Sequence, residues 1–320
     1  MQIQQDNIAA FLAHCEFERN FSRHTIKAYR LDLAQLKRFI LTKMPLPDVS
    51  RMDRSSLREY SRTLSHYKPR TQRRKLAAVK SLFAFLEREG LIEVNPTQTL
   101  RLDIRLGRVL PRTMSFADLG HFFRRLYSRL ESRVKCGRAK DLAVRDIALF
   151  ELLFSSGMRV SELSNLRVAT VDLERRAVLI HGKGNKERLI PICNTEVQAA
   201  LIAYTKTYHR GRDGDEYFFT NRFGRRLSEQ SIRILLRQHA TAVGLEKITP
   251  HIFRHTVATM LLEQGVDLRF IQTFLGHSSI VTTTIYAHVD DKSQRHVLNH
   301  RHPRRLLGVL FNSTNSPTIQ

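Results

Sequence analysis

Within a short stretch near its end the chain carries His251-Ile-Phe-Arg254-His255, then Leu275-Gly276-His277, then Tyr286. A phenol with a pKa of about 10 is mostly protonated at neutral pH, so it becomes a nucleophile only beside cations or a base. Guanidinium and imidazole donors also favour an anion whose charge grows as it reacts. A tyrosine in this company suits attack on a phosphodiester, because the extra negative charge that builds on phosphorus meets fixed positive donors. A zinc site would use His251 and His255 at i, i+4, but the sequence lacks the Glu of His-Glu-x-x-His and a third ligand nearby. No metal site is expected.

Two further cations lie upstream. Gly157-Met158-Arg159-Val160-Ser161-Glu162-Leu163 follows an apolar run at residues 147–154. Gly157 is placed to stop one helix and Arg159 to begin the next, where its fork can meet a phosphate bidentately. Glu162 can pair with a nearby arginine. Lys183 sits in Gly182-Lys183-Gly184-Asn185-Lys186, a turn from which a flexible ammonium can enter a groove and donate a proton. Each residue has a plainer reading alone: a surface arginine, a solubilising lysine, a capping histidine, a polar turn residue, a tyrosine at a core edge. Their combination and order are what single them out.

The positioning elements follow from periodicity. Ile26, Tyr29, Leu33, Leu36 and Phe39/Ile40 recur at helical spacing after Ser22, an N-cap candidate. Pro45 and Pro47 break the pattern, and a short helix follows Met52. Residues 71–88 place Leu76, Val79, Leu82/Phe83 and Leu86 on one face, with Arg70, Arg73, Arg74, Lys75 and Lys80 on the other. Residues 97–112 look extended and basic, with Arg101, Arg105, Arg108 and Arg112, and are expected to link two domains. Ser115-x-x-Asp118 has the form of a capping box. Residues 128–141 form a polar insertion, expected as a loop or a helix extension. Two short strands, 177–181 and 188–192, flank the Lys183 turn. Thr249-Pro250 gives an N-cap and a proline at the first helical position. On that helix Phe253, Val257, Met260 and Leu261 form the core face. His251 and Arg254, about 60° apart around the axis, are expected to point together off that face.

Lys and Arg number 53 against 30 acidic residues, a net charge of +23. The excess is spread over both halves of the chain, which favours a polyanionic partner over a single basic tail. No apolar stretch approaches the ~20 residues a membrane span needs. The N-terminus has no signal-peptide pattern. The scattered cysteines, Cys15, Cys136 and Cys193, argue against a disulfide framework and fit a reducing cytoplasm. No phosphate-binding G-x-x-x-x-G-K-[ST] loop is present.

These motifs together resemble the tyrosine recombinases, the phage-integrase and Xer-type site-specific recombinases. The resemblance spans nearly the whole chain: Ser22-x-x-Thr25-Ile-x-Ala-Tyr29-x-x-Asp32-Leu, Gly157-Met-Arg159-x-Ser-Glu162-Leu, Gly182-Lys183-Gly-x-Lys186-x-Arg188, Thr249-Pro-His251-x-x-Arg254-His255, Leu275-Gly-His277-Ser and Thr283-x-x-Tyr286-x-His288. It implies a mainly α protein with a small β-sheet in two domains. These are an N-terminal helical, SAM-like core-binding bundle over 1–98 and a C-terminal α+β catalytic domain over 114–300. A basic linker, 99–113, joins them, and a tail, 301–320, docks on a neighbouring protomer or packs in cis. It implies that Arg159 and Arg254 bind the scissile phosphate, His251 assists proton transfer and His277 hydrogen-bonds the phosphate. Lys183 protonates the leaving 5′ oxygen, Tyr286 is the nucleophile, and Glu162 supports the site. No cofactor or metal is implied. The implied partner is double-stranded DNA at a specific site, and the basic helix face and basic linker are expected to contact it through Arg70, Arg73, Arg74, Lys75, Lys80, Arg101 and Arg105. The assembly is a homodimer on one site and a homotetramer in the synapse, with room for accessory DNA-bending or directionality factors. Two other functions share parts of the pattern: type IB topoisomerase-like relaxation, and a DNA-binding regulator without catalysis.

Overall fold

The computed structural model describes residues 6–44, 48–98, 104, 112–132, 138–182, 187–209, 216–276, 291–305 and 307. The chain divides into two compact units, Met1–Val109 and Leu110–Gln320.

The first unit is a helical bundle: α1 (Asn7–Ala13), α2 (Arg23–Lys43), α3 (Arg54–Thr63) and α4 (Pro69–Arg88). Ser22 caps α2 by accepting from the Thr25 amide, and Asp53 caps α3 through Ser56. The apolar stripes read from the sequence meet in one core containing Leu33, Leu36, Tyr60, Leu76, Val79, Leu82, Phe83 and Leu86. Ile104, in the expected linker, packs against that core.

Lys75 departs from the expected basic face of α4. It is buried, its Nζ bonds Asp32 Oδ1 at 3.0 Å, and it sits over the Tyr67 ring at 4.9 Å. Asp32 is itself 1% exposed and also accepts from Arg74. A carboxylate taken out of water must be paired, and Lys75 is spent on that pairing. It is therefore removed from the set expected to reach DNA. Arg70, Arg73 and Lys80 remain exposed, and about half of the Arg74 side chain does. Arg101 and Arg105 lie outside the described residues.

The second unit begins with α5 (Phe116–Ser132), whose Ser115 and Asp118 exchange the two expected capping-box bonds. Then come α6 (Arg138–Ser156), α7 (Val160–Ser164), β1 (Val171–Asp172), β2 (Ala177–His181), β3 (Glu187–Pro191), α8 (Thr195–Tyr208), α9 (Glu229–Thr241), α10 (Pro250–Glu263), α11 (Leu268–Leu275) and α12 (Asp291–Arg301). The polar 128–141 stretch extends helices from both sides, with 133–137 outside the described residues. The sheet is antiparallel in the order β1-β2-β3, and Leu179 pairs with Leu189. The two-residue β1 carries too little pattern to be read from sequence. Helix α6 is buried at every position from 147 to 154 and packs Phe150 and Phe154 against Phe122, Phe123 and Phe253 in edge and tilted contacts.

One charge lies inside that buried 147–154 segment. Glu151 is wholly buried and accepts from Arg304 Nε at 2.7 Å, Arg304 Nη2 at 2.8 Å and Tyr127 Oη at 2.8 Å. Burial and the neighbouring carboxylate push the Tyr127 hydroxyl far up, so it stays a donor. The stretch just after α12 thus packs in cis: His302, Arg304 and Leu307 are buried. Residues 308–320 lie outside the described residues.

Removing one partner of such a pair leaves an uncompensated buried charge. Arg304→Ala is expected to lower unfolding stability by about 3–5 kcal/mol. Urea denaturation checks this, and a loss below about 1 kcal/mol would mean that water reaches Glu151.

Candidate active site

The site is built where three chain breaks meet. Helix α6 ends at Gly157, in the left-handed region at φ 55°. A Cβ there would lie 2.5 Å from the Leu275 side chain, so glycine is required by conformation and by space alike. The turn sets Arg159 as the N-cap of α7. Glu162, three residues on, accepts from the Arg159 amide at 2.8 Å and from its Nη1 at 2.8 Å.

Thr249 caps α10 by accepting from the Ile252 amide, and Pro250 opens the helix as expected. His251 is exposed there, but Arg254 is not. Contrary to the expectation that both leave the core face, Arg254 is 7% exposed and lies beside Phe253 and Val257. Its position is explained by its partners. Nη1 donates to the Gly157 carbonyl at 2.8 Å and Nη2 to the Leu275 carbonyl at 2.6 Å.

The third break is the end of α11. Gly276, at φ 69° and ψ 53°, is its left-handed cap, as the Leu275-Gly276 pattern suggests. Arg159 Nη2 donates to the Gly276 carbonyl at 2.7 Å. Arg188, on β3, donates from Nε to the Phe274 carbonyl at 3.1 Å and from both terminal nitrogens to Glu162, at 3.1 and 2.8 Å. Three guanidiniums therefore hold three successive carbonyls at the negative end of one helix. The Gly182-Lys183-Gly-x-Lys186-x-Arg188 motif includes Arg188 but implies no role for it. Its signal was the strand alternation that places it on the face of buried Ile190.

Burial raises the Glu162 carboxyl, yet the Arg188 and Arg159 hydrogen bonds and charges outweigh it and hold the group below the usual glutamate range. Burial, reinforced by Arg159 and Arg188, lowers Arg254 to about 10 against the pull of Glu162, and it remains a cation at neutral pH. Burial, then His255, Arg233, Arg254 and Arg159, lower His251, so its neutral form prevails at pH 7. The structure brings together Arg159, Glu162, His251 and Arg254. Lys183, His277 and Tyr286 lie outside the described residues. Among the described residues, no cluster of three or more His, Cys, Asp or Glu could hold a metal ion. No helix among them is long and apolar enough to cross a membrane.

A cluster of guanidiniums set on a mostly helical frame beside a small antiparallel sheet has the donors to hold an oxyanion. Comparison with known proteins agrees. Residues 124–293 match the model of the phage integrase family, and residues 8–90 match its N-terminal SAM-like domain. A tyrosine recombinase of Agathobacter rectalis is 37% identical over 303 residues, covering 94% of this chain and 97% of that protein. Tyrosine recombinase XerC of Chlamydia trachomatis serovar L2 is 35% identical over 324 residues, covering 93% and 99%. Among solved structures, a XerH site-specific recombinase bound to its difH substrate in a pre-cleavage complex matches with a TM-score of 0.64. It is 22% identical and covers 90% of this chain and 83% of that one, a likeness of fold. The chain belongs to the phage integrase family of tyrosine recombinases.

The cationic surroundings of His251 can be read directly. Its NMR titration midpoint in the free protein is expected below the ordinary histidine value of 6.5, and His255→Gln should raise it by removing the neighbouring imidazole. A midpoint at or above the ordinary value would mean that the ring stands clear of the pocket.

Proposed function

We propose that this chain cleaves and rejoins double-stranded DNA at a specific recombination site through a 3′-phosphotyrosyl intermediate on Tyr286, without ATP or metal. The observation that carries the reading is the convergence of Arg159 and Arg254 on adjacent carbonyls, Gly276 and Leu275. Each guanidinium has five N–H donors in a rigid fork and here uses two of them to hold its own position. The remaining donors are preoriented for the non-bridging oxygens of a phosphate, and they favour the transition state over the diester because charge grows there.

The chemistry balances without a cofactor. The Tyr286 oxygen forms a bond to phosphorus as the bond to the 5′ oxygen breaks, and the phenolic proton passes to the surroundings with His251 assisting. The leaving alkoxide takes a proton from Lys183, a step worth roughly 10²–10⁴-fold for so poor a leaving group. His277 hydrogen-bonds the phosphate. The covalent ester conserves the bond energy, so a 5′ hydroxyl from a partner strand reverses the step without ATP.

The N-terminal bundle with Arg70, Arg73, Arg74 and Lys80, together with Arg101 and Arg105, supplies contacts to the DNA backbone. Such contacts give binding a steep salt dependence. The assembly is a dimer on one site and a tetramer in the synapse, with the DNA in the cytoplasm. The match to an N-terminal SAM-like domain supports a recombinase over a topoisomerase.

Two measurements test the reading on a nicked suicide duplex. Tyr286→Phe is expected to bind DNA with near wild-type affinity and form no covalent adduct on denaturing gels; adducts at the wild-type level would exclude Tyr286 as nucleophile. Lys183→Ala is expected to cleave slowly and to recover when the 5′ bridging oxygen is replaced by sulfur, a leaving group that needs no acid. Equal slowness on both substrates would remove Lys183 from the proton transfer.

A further inference from the structure

We infer that Arg188 is a positioning residue of this active site, holding Arg159 through Glu162 and the end of α11 through the Phe274 carbonyl; the inference rests on the functional reading above. Three observations carry it. First, Arg188 and Arg159 share one carboxylate. Glu162 Oε1 accepts from Nη1 of both, at 3.1 and 2.8 Å, and Oε2 accepts from Arg188 Nη2 at 2.8 Å. The Glu162 side chain is 5% exposed, so its charge has few other sources of neutralisation.

Second, Arg188 reaches the same helix end as the two phosphate-binding arginines. Phe274, Leu275 and Gly276 offer consecutive carbonyls to Arg188, Arg254 and Arg159 in turn. These are the last described residues before His277 in the sequence. Fixing them fixes where the chain leaves α11, and it does so from a strand that begins four residues past Lys183. One side chain thus ties β3, α7 and α11 together.

Third, Gly276 is shaped to this guanidinium. A Cβ there would stand 2.9 Å from Arg188 Nη1 and 3.2 Å from its Cζ. The guanidinium cannot easily yield, because its three nitrogens are all engaged. Arg188 is too far committed to these partners to be counted as a phosphate ligand itself. Lysine at this position would keep one charge but could not span the carboxylate and the carbonyl together.

The test compares wild type, Arg188→Gln and Arg188→Lys by three readouts: adduct formation on the suicide duplex at saturating DNA, DNA affinity, and ¹³C-carboxyl NMR titration of Glu162. Arg188→Gln is expected to slow adduct formation by about 10–100-fold, the size of loss seen when a hydrogen-bonding partner that orients a metal ligand is removed. Affinity should stay within about threefold and the Glu162 midpoint should rise, so the variant's rate should fall more steeply at low pH than that of wild type. Arg188→Lys should lie between the two in rate, and it stands in if Arg188→Gln does not fold. A wild-type rate for Arg188→Gln would overturn the inference, as would rate and affinity falling together with thermal stability, which marks a structural role only. If wild type itself formed no adduct, the functional reading would fail, and an unmoved Glu162 midpoint would then dismiss the Arg188 contact as well.

Discussion

Like charges must be held close together before the phosphate that wants them arrives, and this requirement shapes the catalytic unit. Two unit charges about 4 Å apart interact by about 4 kcal/mol at the effective dielectric of a protein edge. Arg254 is lowered to about 10 chiefly by burial, and the nearness of Arg159 and Arg188 adds to that. Two kinds of negative group compensate. One is the Glu162 carboxylate. The other is the row of carbonyls at the end of α11, where the helix dipole concentrates partial negative charge. Both are parts of the protein, so the cations are in place in the free enzyme and need no reorganisation when substrate binds.

The rest of the unit serves that arrangement. Gly157 and Gly276 take left-handed conformations so that α6 and α11 stop where the arginines need their carbonyls. Phe253 and Val257 anchor α10 in the aromatic core, which sets the depth of Arg254. The antiparallel pairing of β2 and β3 places Arg188 from one strand, and Lys183 lies between the two strands in sequence. On the far side of α6, Glu151 and Arg304 tie the stretch after α12 back to the same core. That stretch follows Tyr286 in the chain, so the segment that carries the proposed nucleophile lies in sequence between described residues, Gly276 and Asp291.

Much of this was legible in the sequence, and the reasons for success and failure are physical. Caps at Ser22, Ser115 and Thr249 and stops at Gly157 and Gly276 are decided within a few residues, so local pattern is sufficient for them. The buried α6 segment shows itself by apolarity on most sides. Lys75 was misplaced because charge was weighed above periodicity: positions 75, 79, 82 and 86 share one face, and the lysine sits on the core stripe with its ammonium paired to Asp32. Arg254 was misplaced for the same reason, since 254, 257 and 261 also share a face. The carboxylate shared by Arg159 and Arg188 joins segments distant in sequence, and no local rule reveals it. Only the strand alternation, which turns Arg188 toward the side of Ile190, hinted that this arginine faces inward.

The central claim is that fixed guanidinium charge answers charge on a phosphate. The most direct measurement replaces the scissile phosphate of the suicide duplex by a methylphosphonate, which carries one negative charge fewer, and compares wild type with Arg254→Ala by adduct formation. The account predicts that Arg254→Ala loses several orders of magnitude on the phosphate and far less on the neutral methylphosphonate. An equal loss on both substrates would contradict it, because Arg254 would then be acting through the fold and not through the charge of the reacting group.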